Sequence, residues 1–545
     1  MAIHIQSKLY KPQKRQMLVL IPFALFYCAA AILGQLEKAR TLGALQNLGR
    51  IIAWFCGSYA VLLLLCVVIS GRKEKVQRRR RGKWYLYVLF ALLCLLCYMP
   101  YYLMYYPGWL NNDAVWQIEQ ILGWAPASNH HPYFHTLIMK CFFMTGYRLF
   151  GSYMAGAAFY TFCQVLIMAM VFAFFLYWLY RRGTHWLWLT AAFLFYAALP
   201  INGILTICMG KDEFFTAALL FFAWMTAEFD LDAGDCVQKE RTGEPHAADR
   251  GKRKRRLQWA AYFVTGLLVC LLRSNGIFIF LGTVLALLLV RKKFPVRTAV
   301  CAAAVLLCYM IWQGPVLRAL DVEPPDTIES LTMPVQHILC AYLKGGHLTE
   351  EEIEMIDRVA PADQIGEYYN PWLFDIVKNF IREQGNQQVI ADHMGDYFKL
   401  WLRVGLRNPF QYLVAEVRQT TGYWAMDVKD YEYVYGEYYM VDNPFGITAD
   451  RKLFTYDNEL AMHDFLMGFQ DLYNKVWSLG LNTWLMVFGI AYLAYCRRSA
   501  IIYVPFLMLL TTLLLAAPVY NEFRYAYGLF AAFPILFACS FGSRT

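Results

Sequence analysis

Apolar blocks of about 17–25 residues recur from one end of this chain to the other, and that is the length a helix needs to cross a hydrocarbon layer of about 30 Å. Met17 to Gly34, Ile51 to Ser70, Trp84 to Tyr105, Met154 to Tyr180 and Ile501 to Ala517 show it most plainly. Composition agrees: of 545 residues, 59% are hydrophobic and 17% charged, against about 45–50% and about 25% in soluble domains. An ordinary soluble enzyme is thereby excluded. Lys8, Lys11, Lys14 and Arg15 precede the first block as in a signal peptide, but no small-residue cleavage site separates it from the next span, so it reads as a retained helix.

The net charge of +10 would suit a nucleic-acid binder if the basic residues formed one surface, but they sit in short loops between apolar blocks. Gly71 to Lys83, Phe229 to Arg256 and Arg291 to Lys293 hold the clusters. Lys and Arg beside helix ends resist translocation and mark the cytoplasmic side, where anionic lipid accounts for them; no nucleic-acid partner is expected. Most of the fifteen cysteines lie inside apolar blocks, and neither a disulfide nor a zinc site is assigned.

Placing each basic cluster inside and alternating through the blocks gives about twelve spans, near 17–34, 51–70, 84–105, 152–180, 185–200, 211–228, 257–272, 275–290, 298–314, 479–496, 500–517 and 524–541. Both termini come out cytoplasmic. The expected architecture is an all-α, multi-pass cell-membrane protein in four parts: an N-terminal hairpin and basic loop (1–83), a transmembrane core (84–314) with a first external loop (106–151), a mainly helical extracytoplasmic domain (315–478), and C-terminal spans (479–545). In the loop, Trp116, Ile118, Ile121, Leu122 and Trp124 fall at helical spacing, and 134–149 is a second surface helix or an extra short span. Residues 315–478 carry 26 Asp/Glu against 13 Lys/Arg, so the chain is acidic outside and basic inside. There Thr349 to Glu352 predicts a capping box, and Met394 to Leu413 an amphipathic helix interrupted at Pro409. No internal repeat is apparent.

Charged groups at a membrane are expensive unless paired or wetted, so each is a functional candidate. Asp113 opens the surface helix either as an N-cap or as a base for an acceptor hydroxyl, with Asn112 and Gln117 as neighbours that would touch substrate. His130 and His131 share the loop, and the spacing of His131 and His135 would let both join Asp113 around a divalent metal. Lys211, Asp212 and Glu213 open a span, where the lysine would hold a phosphate or the three would simply neutralise one another. Arg273, beside Asn275, and Arg524, beside Tyr525, offer guanidinium forks matched to phosphate oxygens, although Glu522 would also neutralise Arg524. Tyr423 and Trp424, with Tyr431, Tyr433, Tyr435 and Tyr438, form an aromatic stretch suited to sugar rings and equally to the headgroup region.

The order Tyr105-Tyr-Pro-Gly108, Asn112-Asp113-Ala114, Asn129-His-His-Pro-Tyr-Phe-His-Thr136 resembles the bacterial multi-pass C-type (GT-C) glycosyltransferases, a group that includes protein O-mannosyltransferases and aminoarabinose transferases. Gly210 to Glu213, Leu272 to Gly276 and Met333 to His337 extend the likeness over about 84–540, most closely to an uncharacterised branch. The resemblance implies a GT-C-like core, a polyprenyl-phosphate sugar donor, Asp113 as base, and Lys211, Arg273 and Arg524 on the donor phosphate. The acceptor would be a glycan, lipid or protein of the envelope. Many members carry paired acids in this loop, whereas Asp113 is flanked by Asn112 and Ala114. A polysaccharide polymerase or ligase and a lipid or polysaccharide transporter are the competing readings.

Overall fold

The computed structural model describes residues 12–36, 43–71, 79–239, 245–290, 295–425, 440–450, 454–476 and 478–542. Every regular element among them is a helix; the only strand-like pairings are isolated bridges. In chain order the helices are α1 (Lys14–Leu33), α2 (Ala44–Ser70), α3 (Trp84–Met104), α4 (Asn112–Leu122), α5 (Tyr133–Phe150) and α6 (Tyr153–Arg181). Next come α7 (Trp186–Ala198), α8 (Pro200–Ile207), α9 (Asp212–Lys239), α10 (Pro245–Leu272), α11 (Gly276–Val290) and α12 (Val296–Ala319). The polar segment supplies α13 (Thr332–Leu343), α14 (Glu350–Asp357), α15 (Phe374–Gln384), α16 (Met394–Arg407), α17 (Pro409–Trp424) and α18 (Tyr456–Val476). It is followed by α19 (Leu479–Tyr495), α20 (Val504–Ala516) and α21 (Phe523–Phe541).

All twelve expected apolar stretches fall in helix. By length and composition α1, α2, α3, α6, α12 and α21 are able to cross a membrane, and α7 with α8 makes a seventh if the pair is one bent span. The protein is an all-α, multi-pass membrane protein. The block expected at 185–200 is broken: Pro200 cannot donate a backbone bond, and α7 and α8 meet at 41°. Asn202 repairs the break by donating to the carbonyls of Phe195 (2.6 Å) and Tyr196 (3.3 Å), while its oxygen accepts from Tyr527 (2.9 Å). Freed backbone groups inside an apolar bundle need such partners.

Tyr98, Phe172, Phe175, Tyr196, Tyr262, Tyr503 and Tyr527 are fully buried in one apolar core. Leu64 and Leu96 stay exposed, as lipid-facing leucines do. The hairpin of α1 and α2 leans on α19, where Tyr27 donates to the Trp484 carbonyl at 2.7 Å.

Residues 328–404 form a second apolar core around Ile328, Leu339, Phe374, Phe380 and Val404. The expected capping box is present, with Thr349 N donating to Glu352 Oε2 at 3.0 Å. The amphipathic stretch divides at Asn408 into α16 and α17, because Pro409 starts a new helix. This segment does not stand apart. It is stitched to the core by backbone bonds from Asn129 to Glu323 (2.8 Å), from Val441 to Leu110 (3.1 Å) and from Tyr520 to Trp372 (3.0 Å). Tyr423, expected on an open aromatic face, is buried and donates to the Val519 carbonyl at 2.9 Å. Tyr431, Tyr433, Tyr435 and Tyr438 lie outside the described residues.

Candidate functional site

Two chain segments distant in sequence meet to build the site. Trp109 N donates to Ile207 O at 2.8 Å and Met209 N donates to Trp109 O at 2.9 Å, so the residues leading into α4 run parallel to those leading into α9. Gly108 makes this approach possible: its φ of 131° disfavours any side chain, and a Cβ there would come within 2.3 Å of Thr161 Oγ1. Asn111 is the N-cap of α4, accepting from Ala114 N at 2.9 Å. The capping reading of Asp113 is thereby corrected: Asn111 has that role, and Asp113, in the first turn, is free for another.

Asp113, His131 and Lys211 form a triangle. Lys211 Nζ lies 3.4 Å from Asp113 Oδ2 and 2.9 Å from His131 Nδ1, and His131 Nε2 lies 3.8 Å from Asp113 Oδ1. An ammonium has no lone pair, so Nδ1 accepts and the imidazole proton sits on Nε2, facing the carboxylate. That Nε2 is buried with no hydrogen-bond partner. Burial by itself would raise the Asp113 carboxyl; the Lys211 charge, and behind it that of Arg524, outweighs it and holds it well below the usual carboxylate range. Burial, reinforced by Lys211, keeps the His131 imidazole neutral well below its ordinary range.

The other expected phosphate cations are near but already paired. Arg273 bonds Asp212 at 2.9 Å, donates to the Tyr525 carbonyl at 3.3 Å and lies 4.7 Å over the Tyr525 ring. Arg524 bonds Glu522 at 3.0 Å. Each cation therefore has a carboxylate partner, and the expected neutralisation of Lys211 by Asp212 and Glu213 is corrected: Lys211 pairs with Asp113, and Asp212 with Arg273. Both oxygens of the buried Glu213 carboxyl lack hydrogen-bond partners. Asn275 donates to Thr512 Oγ1 at 2.7 Å and leaves its own oxygen unpartnered. Asn112 is exposed at the start of α4.

His135 and Gln117 turn away from this triangle. His135 Nδ1 meets Gln117 Oε1 at 3.1 Å and Nε2 meets the Tyr160 hydroxyl at 3.0 Å; Gln117 also donates to Thr136 Oγ1 at 2.8 Å. Burial and the Lys211 charge press the His135 pKa down to about 3, so the ring is neutral and carries one proton, while the Tyr160 hydroxyl donates to Gln164 Oε1 at 2.9 Å. Gln164 extends the network, donating to the carbonyls of Thr206 (3.0 Å) and Cys208 (2.6 Å). The His131 and His135 metal reading is thus corrected. His135 has both nitrogens engaged elsewhere, Lys211's ammonium stands between Asp113 and His131, and no group of three ligating side chains comes together among the described residues. These residues do not fit a divalent metal.

His130 reaches the polar segment. Its Nδ1 lies 3.8 Å from Glu329 Oε1, its ring is 4.6 Å from that of His131, and Glu329 also binds Lys378 at 3.1 Å and Arg382. Sequence reasoning did not single out Glu329, Tyr160 or Gln164. For the last there was a signal, a glutamine in the middle of an apolar span.

Fold and site together define a class: an all-α multi-pass membrane protein with a charged cluster where the apolar bundle meets its polar segments. Residues 124–541 match the model of a family of unknown function (DUF6020), and the chain belongs to that family. Lys211, Arg273 and Arg524 fall within the matched range, and Asp113 precedes it. No curated protein and no solved structure matches the chain.

Proposed function

We propose that this protein is a GT-C type membrane glycosyltransferase that moves a monosaccharide from a polyprenyl-phosphate donor to an envelope glycan, lipid or protein. In this reading twelve helices cross the membrane, both termini are cytoplasmic, and residues 315–478 with the 106–151 loop face outward. The supporting observation is the convergence of Asp113 with Lys211 and His131, within reach of the Arg524 charge, at one end of the apolar bundle. Asp113 takes the proton of the acceptor hydroxyl as its oxygen bonds to the anomeric carbon. The bond from that carbon to the phosphate breaks, and the polyprenyl phosphate leaves with the electron pair, stabilised by Lys211, Arg273 and Arg524.

The ion pairing adds a condition to this chemistry. A carboxylate held low by an adjacent ammonium is a weak base. A donor phosphate drawing Lys211 away from Asp113 strengthens the base as the substrate arrives. Radiolabelled transfer in proteoliposomes, with polyprenyl-phosphate monosaccharides and envelope acceptors, is the test. Single-sugar transfer abolished by Asp113→Asn supports the reading. Oligosaccharide transfer would favour a polymerase or ligase, and full activity of the variant would end the role of Asp113.

A further inference from the structure

Helix α16 carries an apolar ridge that the described residues leave exposed. Met394, Phe398, Leu402 and Leu406 recur every fourth residue and are 42%, 60%, 46% and 75% exposed. On the opposite side of the helix Leu400 and Val404 are buried in the core of the polar segment. The helix thus has two apolar faces, and its own domain covers one.

What lies beside the ridge narrows the occupant. Lys399, Arg403 and Arg407 each follow a ridge residue, with side chains 71%, 53% and 39% exposed. Asp396 pairs with Lys399, and the single buried carboxylate of Glu352 serves both arginines, so the stripe keeps a positive balance. This is a local reversal in a segment with 26 acidic and 13 basic residues. An apolar ridge edged by cations is the pattern of a helix lying in the headgroup layer of an anionic bilayer.

The position of α16 agrees. Helix α13 packs against both α16 and the apolar helix α20. After Asn408 the chain continues into α17, which lands on α19 and α20, with Gln419 donating to the Ala517 carbonyl at 3.0 Å. One helix layer separates α16 from the apolar bundle. We infer that α16 beds Met394, Phe398, Leu402 and Leu406 into the anionic membrane surface on the side where residues 315–478 lie, with Lys399, Arg403 and Arg407 on lipid phosphates. A second copy of the chain is the competing occupant.

The inference is independent of the proposed chemistry and is tested without activity. The full chain, carrying the photocrosslinker p-benzoylphenylalanine at Phe398 or, as a control, at the exposed Glu354, is reconstituted in phosphatidylglycerol or phosphatidylcholine vesicles and irradiated. Lipid adducts at position 398 well above those at 354, falling severalfold in phosphatidylcholine and in a Lys399→Glu/Arg403→Glu background, are expected. Adducts no higher than at 354, equal yields in both lipids, or crosslinks to a second copy would overturn it. The same probe at Leu406 repeats the measurement should the 398 variant fail to fold.

Discussion

Two polar clusters grow from α4 and its neighbouring loop, and they differ in kind. One centres on His135, neutral and fully buried, with both ring nitrogens bonded to Gln117 and Tyr160. The other centres on Asp113, charged and 37% exposed at its side chain, tied loosely to Lys211 and His131 at 3.4–3.8 Å. A satisfied neutral network fixes how helices rotate against each other; a half-open ionic cluster keeps contacts that a ligand can exchange. Gln117 belongs to the first cluster and lies one helical turn from Asp113, so the scaffold aims the site.

The sharpest way to break the comparison is Asp113→Asn, which keeps shape and removes the charge. Transfer should fall by about 10²- to 10⁴-fold, the range of general-base contributions, while the thermal unfolding midpoint in detergent stays near that of wild type. The mirror experiment is His135→Ala. It strands the Gln117 side-chain oxygen in an apolar interior, and such an unpaired group costs about 1–3 kcal/mol, read as a lowered unfolding midpoint. A stable His135→Ala variant would mean that this network does not scaffold the loop.

Lys211→Met sharpens the electrostatic side. Lys211 is the largest charge holding Asp113 below its usual range, so removing it raises the carboxyl pKa. The base works only when ionised; the acid limb of the activity profile should therefore move to higher pH in the variant, whatever happens to the maximal rate. The smallest effect is expected from Glu329→Gln. Burial would raise the Glu329 carboxyl, but Lys378, His130 and Arg382 hold it below its ordinary range. Its contribution is complete above the unfolded carboxylate pKa and fades as pH falls through the lower folded value. Loss of this partly exposed pairing should cost about 1 kcal/mol or less, detectable as faster proteolysis near His130 that high salt reproduces in wild type.

Much of the fold was legible because membrane helices advertise themselves: no other backbone form hides its polar groups in lipid without a partner segment. The capping box at Thr349 and the break at Pro409 were legible for a similar reason, since both are local chemistry. Asp113 and Lys211 were each singled out, but the backbone pairing of Trp109 with Ile207 and Met209 that brings them together was not. His135 misled because its spacing from His131 suits a metal, while its partners Gln117 and Tyr160 lie 18 and 25 residues away in sequence.

By itself the sequence determined the helical class, the placement of the apolar blocks and the short roster of ionisable groups, because hydropathy and local capping act within a few residues. Only the tertiary structure decided which of those groups meet. It gave Arg273 to Asp212 and Arg524 to Glu522, left Lys211 between Asp113 and His131, and withdrew His135 into the scaffold. Charge pairing falls off over a few ångströms, and separations of that kind between distant segments exist only once the bundle has packed.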